Sequence, residues 1–311
     1  MNFNKLYKYP QKSLQRIVNQ YINTPIGIAF MLHRIGMVES YRLPVHANLS
    51  ISIEKLQKIV DEIRCTHNII RLSELPLYIK LKSYSKRPFA IFTFDDGYKD
   101  NYSIGLPFFK ENKIPFTVFL TSRFIGEKQP FNWPFILERI IATNTQIILP
   151  GDKVYTCVSI EEKCKTFYEL KKWLLTWKYA EFENYFYECF YKYMQLKSDV
   201  FEDNMMSWDN VREMHNSGWC EFGSHTVSHC RLAGLNKTEM LYEFYKSKDV
   251  IEQNIGEGIR SISYPFGTNT DFNNLSLELA AKVGYQVGFQ STGGMIRKYD
   301  NLLSLPRQML Y

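Results

Sequence analysis

Two groups of residues in this chain have the types and spacing for chemistry. The apolar run FAIFTFDD at 89–96 ends in Asp95 and Asp96, followed by Gly97. Adjacent side chains leaving a strand point in different directions, so one carboxylate can hold a metal while its neighbour faces a reactant. An Asp-Gly pair is also a common turn, and by itself it says little. Its counterpart is SHTVSH at 224–229, where His225 and His229 stand four residues apart and would share one side if the segment coils into a helical turn after a strand. Two imidazoles and one carboxylate form a facial set with positions left for water and substrate. The chain has six histidines, and two of them at ligand spacing, taken with the paired aspartates, favour a metal over packing. A divalent ion suits the set: Zn²⁺ first, with Co²⁺, Ni²⁺ or Fe²⁺ also fitting. His46, His67 and His215 have no partner at such spacing and are expected to be structural or exposed.

The elements that must position these groups are short apolar runs ending in polar residues. They are IGIAFMLH at 26–33, FAIFTFDD, PFTVFLTS at 115–122, CEFGSH at 220–225, SISYP at 261–265 and VGFQS at 287–291. Helical spacing lies between them, as in Ile53, Leu56, Ile59, Val60 and Ile63, or Met240, Leu241, Phe244 and Val250. Strand–helix alternation argues a parallel α/β sheet, open or closed into a barrel, with its functional residues at the C-terminal strand ends. Residues 127–204 interrupt the alternation with an aromatic-rich helical insertion, in which Phe182, Tyr185, Phe186, Cys189, Phe190 and Tyr193 share one face. That face is expected to pack a helical pair, while an insertion above the strand ends could also shape a substrate groove. Trp208 and Trp219 are expected in the core. An N-terminal extension, 1–25, carries Leu14, Ile17, Val18, Tyr21 and Ile22 at helical spacing. This predicts a helix over 11–23 packed on the main domain, with peripheral membrane contact as the alternative.

Several classes are set aside by composition. With 45% apolar and 23% charged residues the chain reads as globular rather than disordered. A net charge of +6, spread without a polybasic block, gives no support for nucleic-acid binding. The apolar stretch Ile26 to Leu32 is far shorter than the roughly 20 residues of a bilayer span. No signal-type apolar region with a cleavage site follows the first lysines, so a cytoplasmic location is expected, at the inner membrane face if the first helix docks there. Cys65, Cys157, Cys164, Cys189, Cys220 and Cys230 form no CxxC pair and are expected to be reduced packing residues.

TFDDGY at 93–98, SHTVSH at 224–229 and YPFG at 264–267, in this order, resemble the polysaccharide deacetylases, the NodB-homology enzymes of carbohydrate esterase family 4. The resemblance runs from about residue 26 to 311, excluding most of 127–204, and implies a distorted (β/α)7-type barrel with a helical insertion. It further implies a divalent metal and hydrolysis of an acetyl group from N-acetylated amino sugars of a polysaccharide or its precursor. Carried over by position, Asp95 matches the general base toward a metal-held water, and Asp96, His225 and His229 match the metal ligands. A backbone N–H near Phe266 would be a second oxyanion donor, in a turn held by Pro265. The usual pattern has an Arg two residues before this Pro, where this chain has Ser263, and a late His that LLSLPRQML at 302–310 lacks. His33 in FMLHRIG is similar to an N-terminal element of the exopolysaccharide, poly-N-acetylglucosamine-type branch, which implies His33 as general acid. Arg307 in LPRQ resembles a late Pro-Arg element of that branch and is expected to orient Asp95 in place of the missing Arg. Two alternatives stay open: the same site acting on another amide, an imide or an O-acetyl ester, and a carbohydrate-binding pseudoenzyme.

Overall fold

The runs of aromatic and β-branched residues build the centre of the molecule, as their burial on both faces requires. In chain order the strands are β1 (Pro25–Leu32), β2 (Arg34–Ile35), β3 (Ser50–Ile51), β4 (Asn68–Ile69), β5 (Phe89–Phe94), β6 (Phe116–Leu120), β7 (Gln146–Leu149), β8 (Lys153–Thr156), β9 (Cys220–Ser224), β10 (Ser261–Ser263), β11 (Val287–Phe289), β12 (Ile296–Arg297) and β13 (Gln308–Met309). The helices are α1 (Ile53–Thr66), α2 (Leu75–Lys80), α3 (Leu106–Glu111), α4 (Trp133–Thr143), α5 (Ile160–Leu174), α6 (Tyr179–Phe190), α7 (Trp208–Asn216), α8 (Lys237–Ile255) and α9 (Asn274–Val283). The structure is a computed structural model that describes residues 24–36, 43–80, 87–127, 130–194 and 205–311. The helix expected over 11–23, with its membrane-contact alternative, lies outside the described residues, as does 195–204 at the end of the insertion.

Six strands run parallel in the order β11-β10-β9-β6-β5-β1. Every residue of β5 and β6 is buried, the pattern of a parallel sheet covered on both faces. The remaining gap is filled by the C-terminal segment. On one side Gly288 N–H donates to the Leu302 carbonyl and Leu305 N–H to Gly288, both at 2.8 Å; on the other, β13 pairs in parallel with β1. Glycine at 288 permits this approach, because a Cβ there would lie 2.5 Å from the Leu303 carbonyl oxygen. The curled sheet and this closing segment make the distorted α/β barrel.

Helices cover the sheet where their apolar stripes direct. α8 begins at Asn236, whose side chain accepts from Thr238 and Glu239 N–H, and ends at Gly256 in the left-handed conformation. Its inward face is Met240, Phe244, Ser247, Ile251 and one acid, Glu243, which is fully buried. Among the described residues no helix is long and apolar enough to cross a membrane.

Between β6 and α7 a separate cluster centred on Trp133, Leu137, Phe167, Leu170, Phe186 and Phe190 forms its own core. Three expectations are corrected here. The stretch is not wholly helical, since β7 and β8 form an antiparallel hairpin whose turn carries Gly151 and Asp152 at positive φ. Tyr185 leaves the expected apolar face and is 44% exposed, because α6 turns only Phe186, Cys189 and Phe190 fully inward. Nor are all the cysteines packing residues: the six are free thiols, but Cys65 is exposed near the end of α1. Trp208 and Trp219 pack, partly buried, against the main core.

Candidate active site

Asp95 is the first residue past β5, and its N–H extends the ladder to the Leu32 carbonyl at 2.9 Å. The chain then turns sharply: Asp96 has φ 75 and Gly97 φ 92. A side chain at 97 would strike Ile125 and Leu120, at 2.7 and 2.9 Å from its Cβ. The left-handed turn sends the two carboxylates to separate tasks, with both buried.

Arg307 is delivered to Asp95 by the closing segment and is itself fully buried. Its Nη1 donates to Asp95 Oδ1 at 2.8 Å and to Thr93 Oγ1 at 3.0 Å; Nη2 donates to Asp95 Oδ2 at 2.6 Å and to Ser263 Oγ at 2.7 Å. Nε donates to the Gln290 carbonyl at 3.2 Å, so all five guanidinium N–H groups are placed. Phe119 and Phe289 lie against the guanidinium, 5.7 and 5.5 Å from their ring centres. Ser263 Oγ also donates to Asp95 at 3.1 Å. Burial alone would raise the Asp95 pKa, but the opposing charge and hydrogen bonds of Arg307, with His225 close by, hold its carboxyl far below the usual range. The small Ser263 thus stands where a guanidinium would otherwise enter from β10, and Arg307 enters from the other side.

The second carboxylate faces the histidines. His225 Nε2 and His229 Nε2 stand 3.5 and 3.4 Å from the same oxygen, Asp96 Oδ1. The helical turn expected over these residues is absent. The loop instead reverses at Thr226 (φ 67) and His229 (φ 54), and this irregular path brings the rings 4.9 Å apart. His225 Nδ1 donates to the Ser263 carbonyl at 2.8 Å, which leaves Nε2 with its lone pair directed at Asp96. Burial pushes both imidazoles down to about 4, so each is neutral, the state a ligand needs. Burial raises Asp96 as well, and its Oδ1 receives no hydrogen bond among the described residues.

This donor set fits a metal. Ligand atoms held tetrahedrally at about 2.0–2.1 Å from zinc lie about 3.3 Å from one another, close to the separations seen here. The buried, bond-less Asp96 oxygen is the atom a cation would satisfy, and Asp96, His225 and His229 form the cluster whose ligand atoms lie within 4.8 Å of one another.

His33 sits where β1 ends, half-buried, its Nδ1 enclosed without a hydrogen-bond partner. Its carbonyl accepts from the buried Asn101 at 2.9 Å, and the next residue, Arg34, pairs with Asp100 at 2.6 Å. His33 lies within electrostatic reach of Asp95, Asp96 and His229. Phe266, past β10 with φ 60, places its ring 4.9 Å from His229, and its carbonyl is held by Ser291 Oγ at 2.5 Å. Pro265 carries that turn, accepting from Gly267 N–H at 2.7 Å. The sequence-derived site residues therefore gather at one mouth of the barrel.

Two further groups escape the sequence reading. Glu243 accepts from Val227 N–H at 2.7 Å, Ser228 N–H at 3.1 Å and Ser228 Oγ at 2.8 Å, and also from the Tyr179 hydroxyl of the insertion. It pins the histidine loop to α8, and its one legible signal is an acid on an apolar helical face. Lys171 of α5 lies 5.8 Å from the Phe266 ring centre, and burial pulls its ammonium below the ordinary value. His46 takes the structural role expected of it, buried and stacked on Phe135 at 4.2 Å.

The architecture is thus that of an α/β barrel with a candidate metal centre at the strand C-termini. A family model for polysaccharide deacetylase matches residues 82–288, and the chain belongs to that family. Over 99 residues, 32% of this chain and 34% of that protein, it is 29% identical to YxkH of Bacillus subtilis (strain 168), so the match spans about a third of that relative's length. In fold it is similar to the Streptococcus pyogenes deacetylase PplD, solved in complex with acetate, with a TM-score of 0.60 and 18% identity over 92% of this chain and 93% of that one. It is also similar to IcaB from Ammonifex degensii, with a TM-score of 0.61 and 16% identity over 93% of both chains. The BpsB deacetylase domain from Bordetella bronchiseptica gives a TM-score of 0.55 and 17% identity over 91% of this chain and 95% of that one.

Proposed function

We propose that this protein is a metal-dependent hydrolase that removes acetyl groups from N-acetylated amino sugars of a polysaccharide or its glycan precursor. The observation that carries the reading is the convergence of two neutral imidazoles on the bond-less Asp96 oxygen, beside a second carboxylate clamped in its ionised form. A divalent cation held by Asp96, His225 and His229, zinc in the first instance, would polarise the acetyl carbonyl and acidify a water. Asp95 takes the proton of the attacking water through a lone pair outside its two bonds to Arg307. A backbone N–H near Phe266, in the turn held by Pro265, donates to the oxyanion of the tetrahedral intermediate. His33 protonates the leaving nitrogen as the C–N bond breaks, giving acetate and a free amine. Arg307 touches no substrate in this scheme and acts as a positioning residue for Asp95.

The test is acetate release from N-acetylglucosamine oligomers. Activity should vanish on metal stripping, return with zinc and fall sharply in His33→Ala. Zinc-loaded protein that binds these oligomers but releases no acetate would move the assignment to a carbohydrate-binding barrel, and release from O-acetyl sugars alone would move it to an esterase.

A further inference from the structure

Where the insertion meets the barrel mouth, a cavity of about 250 Å³ opens beside His229. Its walls are aromatic: Phe131, Trp133, Trp177 and Phe182 come from the insertion and Phe266 from the barrel. Phe131, Trp177, Phe182 and Phe266 are only partly buried, so ring surface remains accessible. The rim is polar. Arg123, from the loop after β6, makes a two-pronged ion pair with Glu183 of α6, at 2.7 and 3.0 Å, and Ser228 and Arg231 lie nearby. Ser228 and His229 line this cavity as well as belonging to the metal loop, so a group seated here is continuous with one at Asp95 and Asp96.

This combination selects its occupant. A pyranose ring offers an apolar C–H face to an aromatic wall and hydroxyls at its edge. Arg123 and Glu183 present donors and acceptors in fixed planar geometry to meet those hydroxyls. An alkyl chain would satisfy the rings but strip water from a charged rim without returning hydrogen bonds. The volume lies below the roughly 300–1,000 Å³ of sites that enclose drug-sized ligands, which suits a single ring rather than an extended chain.

We propose that the cavity is a sugar subsite contributed by the insertion, and that it holds the residue next to the one being deacetylated. The proposal rests on the deacetylase reading and deepens it: the rings of the insertion, with Arg123 at their rim, set how strongly a glycan chain is preferred over a single sugar. Zinc-loaded protein is compared on N-acetylglucosamine and its tetramer, in the wild type, Trp177→Ala and Arg123→Gln. Wild type should favour the tetramer, and the tetramer-to-monomer ratio of kcat/KM should fall about tenfold in Trp177→Ala, chiefly through KM. Arg123→Gln should lower it several-fold. Because Arg123 is exposed, that variant keeps the test open if Trp177→Ala disturbs the aromatic core. An unchanged ratio in the folded variants, or no preference for the tetramer in the wild type, overturns the proposal. Should no acetate form from either sugar, the deacetylase reading fails on its own. The subsite is then judged by tryptophan-fluorescence quenching with the tetramer: quenching lost in Arg123→Gln supports it, and quenching by an alkyl detergent but not by the tetramer overturns it.

Discussion

At the barrel mouth every N–H of Arg307 is engaged, and Asp95 is gripped on both oxygens. The insertion is held instead largely by aromatic packing, and its side-chain polar ties to the rest of the barrel include Arg123–Glu183, Tyr179–Glu243, Glu138 accepting from Leu43 N–H and Asn132 donating to the Tyr98 hydroxyl. The mouth is built from strand ends, where backbone ladders fix each side chain's origin, and charge-assisted bonds then fix its direction. The insertion shapes a wall from rings, which tolerate small displacements because stacking has broad geometric limits. Changes at the mouth should therefore abolish chemistry or unfold the barrel, while changes in the insertion should grade affinity.

The largest effect tests that contrast directly. Asp95→Asn is close in shape but removes the proton acceptor and sets an amide N–H against one arm of Arg307, and it should lower kcat by about 10³-fold, read as acetate release, with metal affinity retained. Arg307→Ala comes next. It leaves a buried carboxylate without its counter-charge and should cost about 3–5 kcal/mol, read from urea unfolding. A loss below 1 kcal/mol would mean that the closing segment is less fixed than the mouth requires.

The parts of this design that were legible in the sequence share a physical reason. β5 and β6 are mainly apolar runs with polar ends, buried throughout, and leave little freedom in reading them; β1 is similar, and β9 is a shorter run interrupted by Glu221. Asp95, Asp96, His225 and His229 stand at those ends, whereas Arg307 is legible only through the resemblance of LPRQ to a late Pro-Arg element. What the sequence hid depends on long-range closure or irregular backbone. His225 and His229 look like a helical pair, yet positive φ at Thr226 and His229 brings them together in a loop. The hairpin β7–β8 was signalled by Pro150-Gly151-Asp152, but it lies amid residues of helical spacing. Glu243 reads as one acid in a helix, and only the folded structure turns it toward Val227 and Ser228. The aromatic cavity belongs to no single segment, so no local pattern could disclose it.

Glu243 is the place where the two regions touch. Glu243→Gln is nearly isosteric, but it removes the charge, and with its amide oxygen kept on the Val227 and Ser228 N–H groups its NH2 replaces the oxygen that accepts from the Ser228 and Tyr179 hydroxyls. The loop should loosen, and zinc affinity should drop about 10–100-fold, measured by competition with a chelator. Tyr179→Phe removes only the insertion's side of the bond and should weaken zinc by less than a factor of about ten. If Tyr179→Phe equals Glu243→Gln, the insertion is as much a part of the metal site as the barrel is.

The smallest effect lies at the seam. His46 is stacked on Phe135 at 4.2 Å and meets Phe167 edge-on at 5.3 Å. Burial, with the charges of Lys171 and His33 nearby, pushes its pKa from 6.5 down to about 3. The native state therefore keeps this imidazole neutral, while the unfolded chain takes up a proton below about 6.5. The unfolded state then holds more protons throughout that window, so stability from His46 falls as the pH is lowered from 6.5 toward 3. His46→Gln removes this proton uptake. Wild type and variant should differ in how far their urea midpoints drop between pH 7.5 and pH 5, the variant dropping less. Equal drops would mean that the acid sensitivity resides in the barrel mouth, where His225 and His229 are also buried neutral. The seam would then be no softer toward acid than the site it borders.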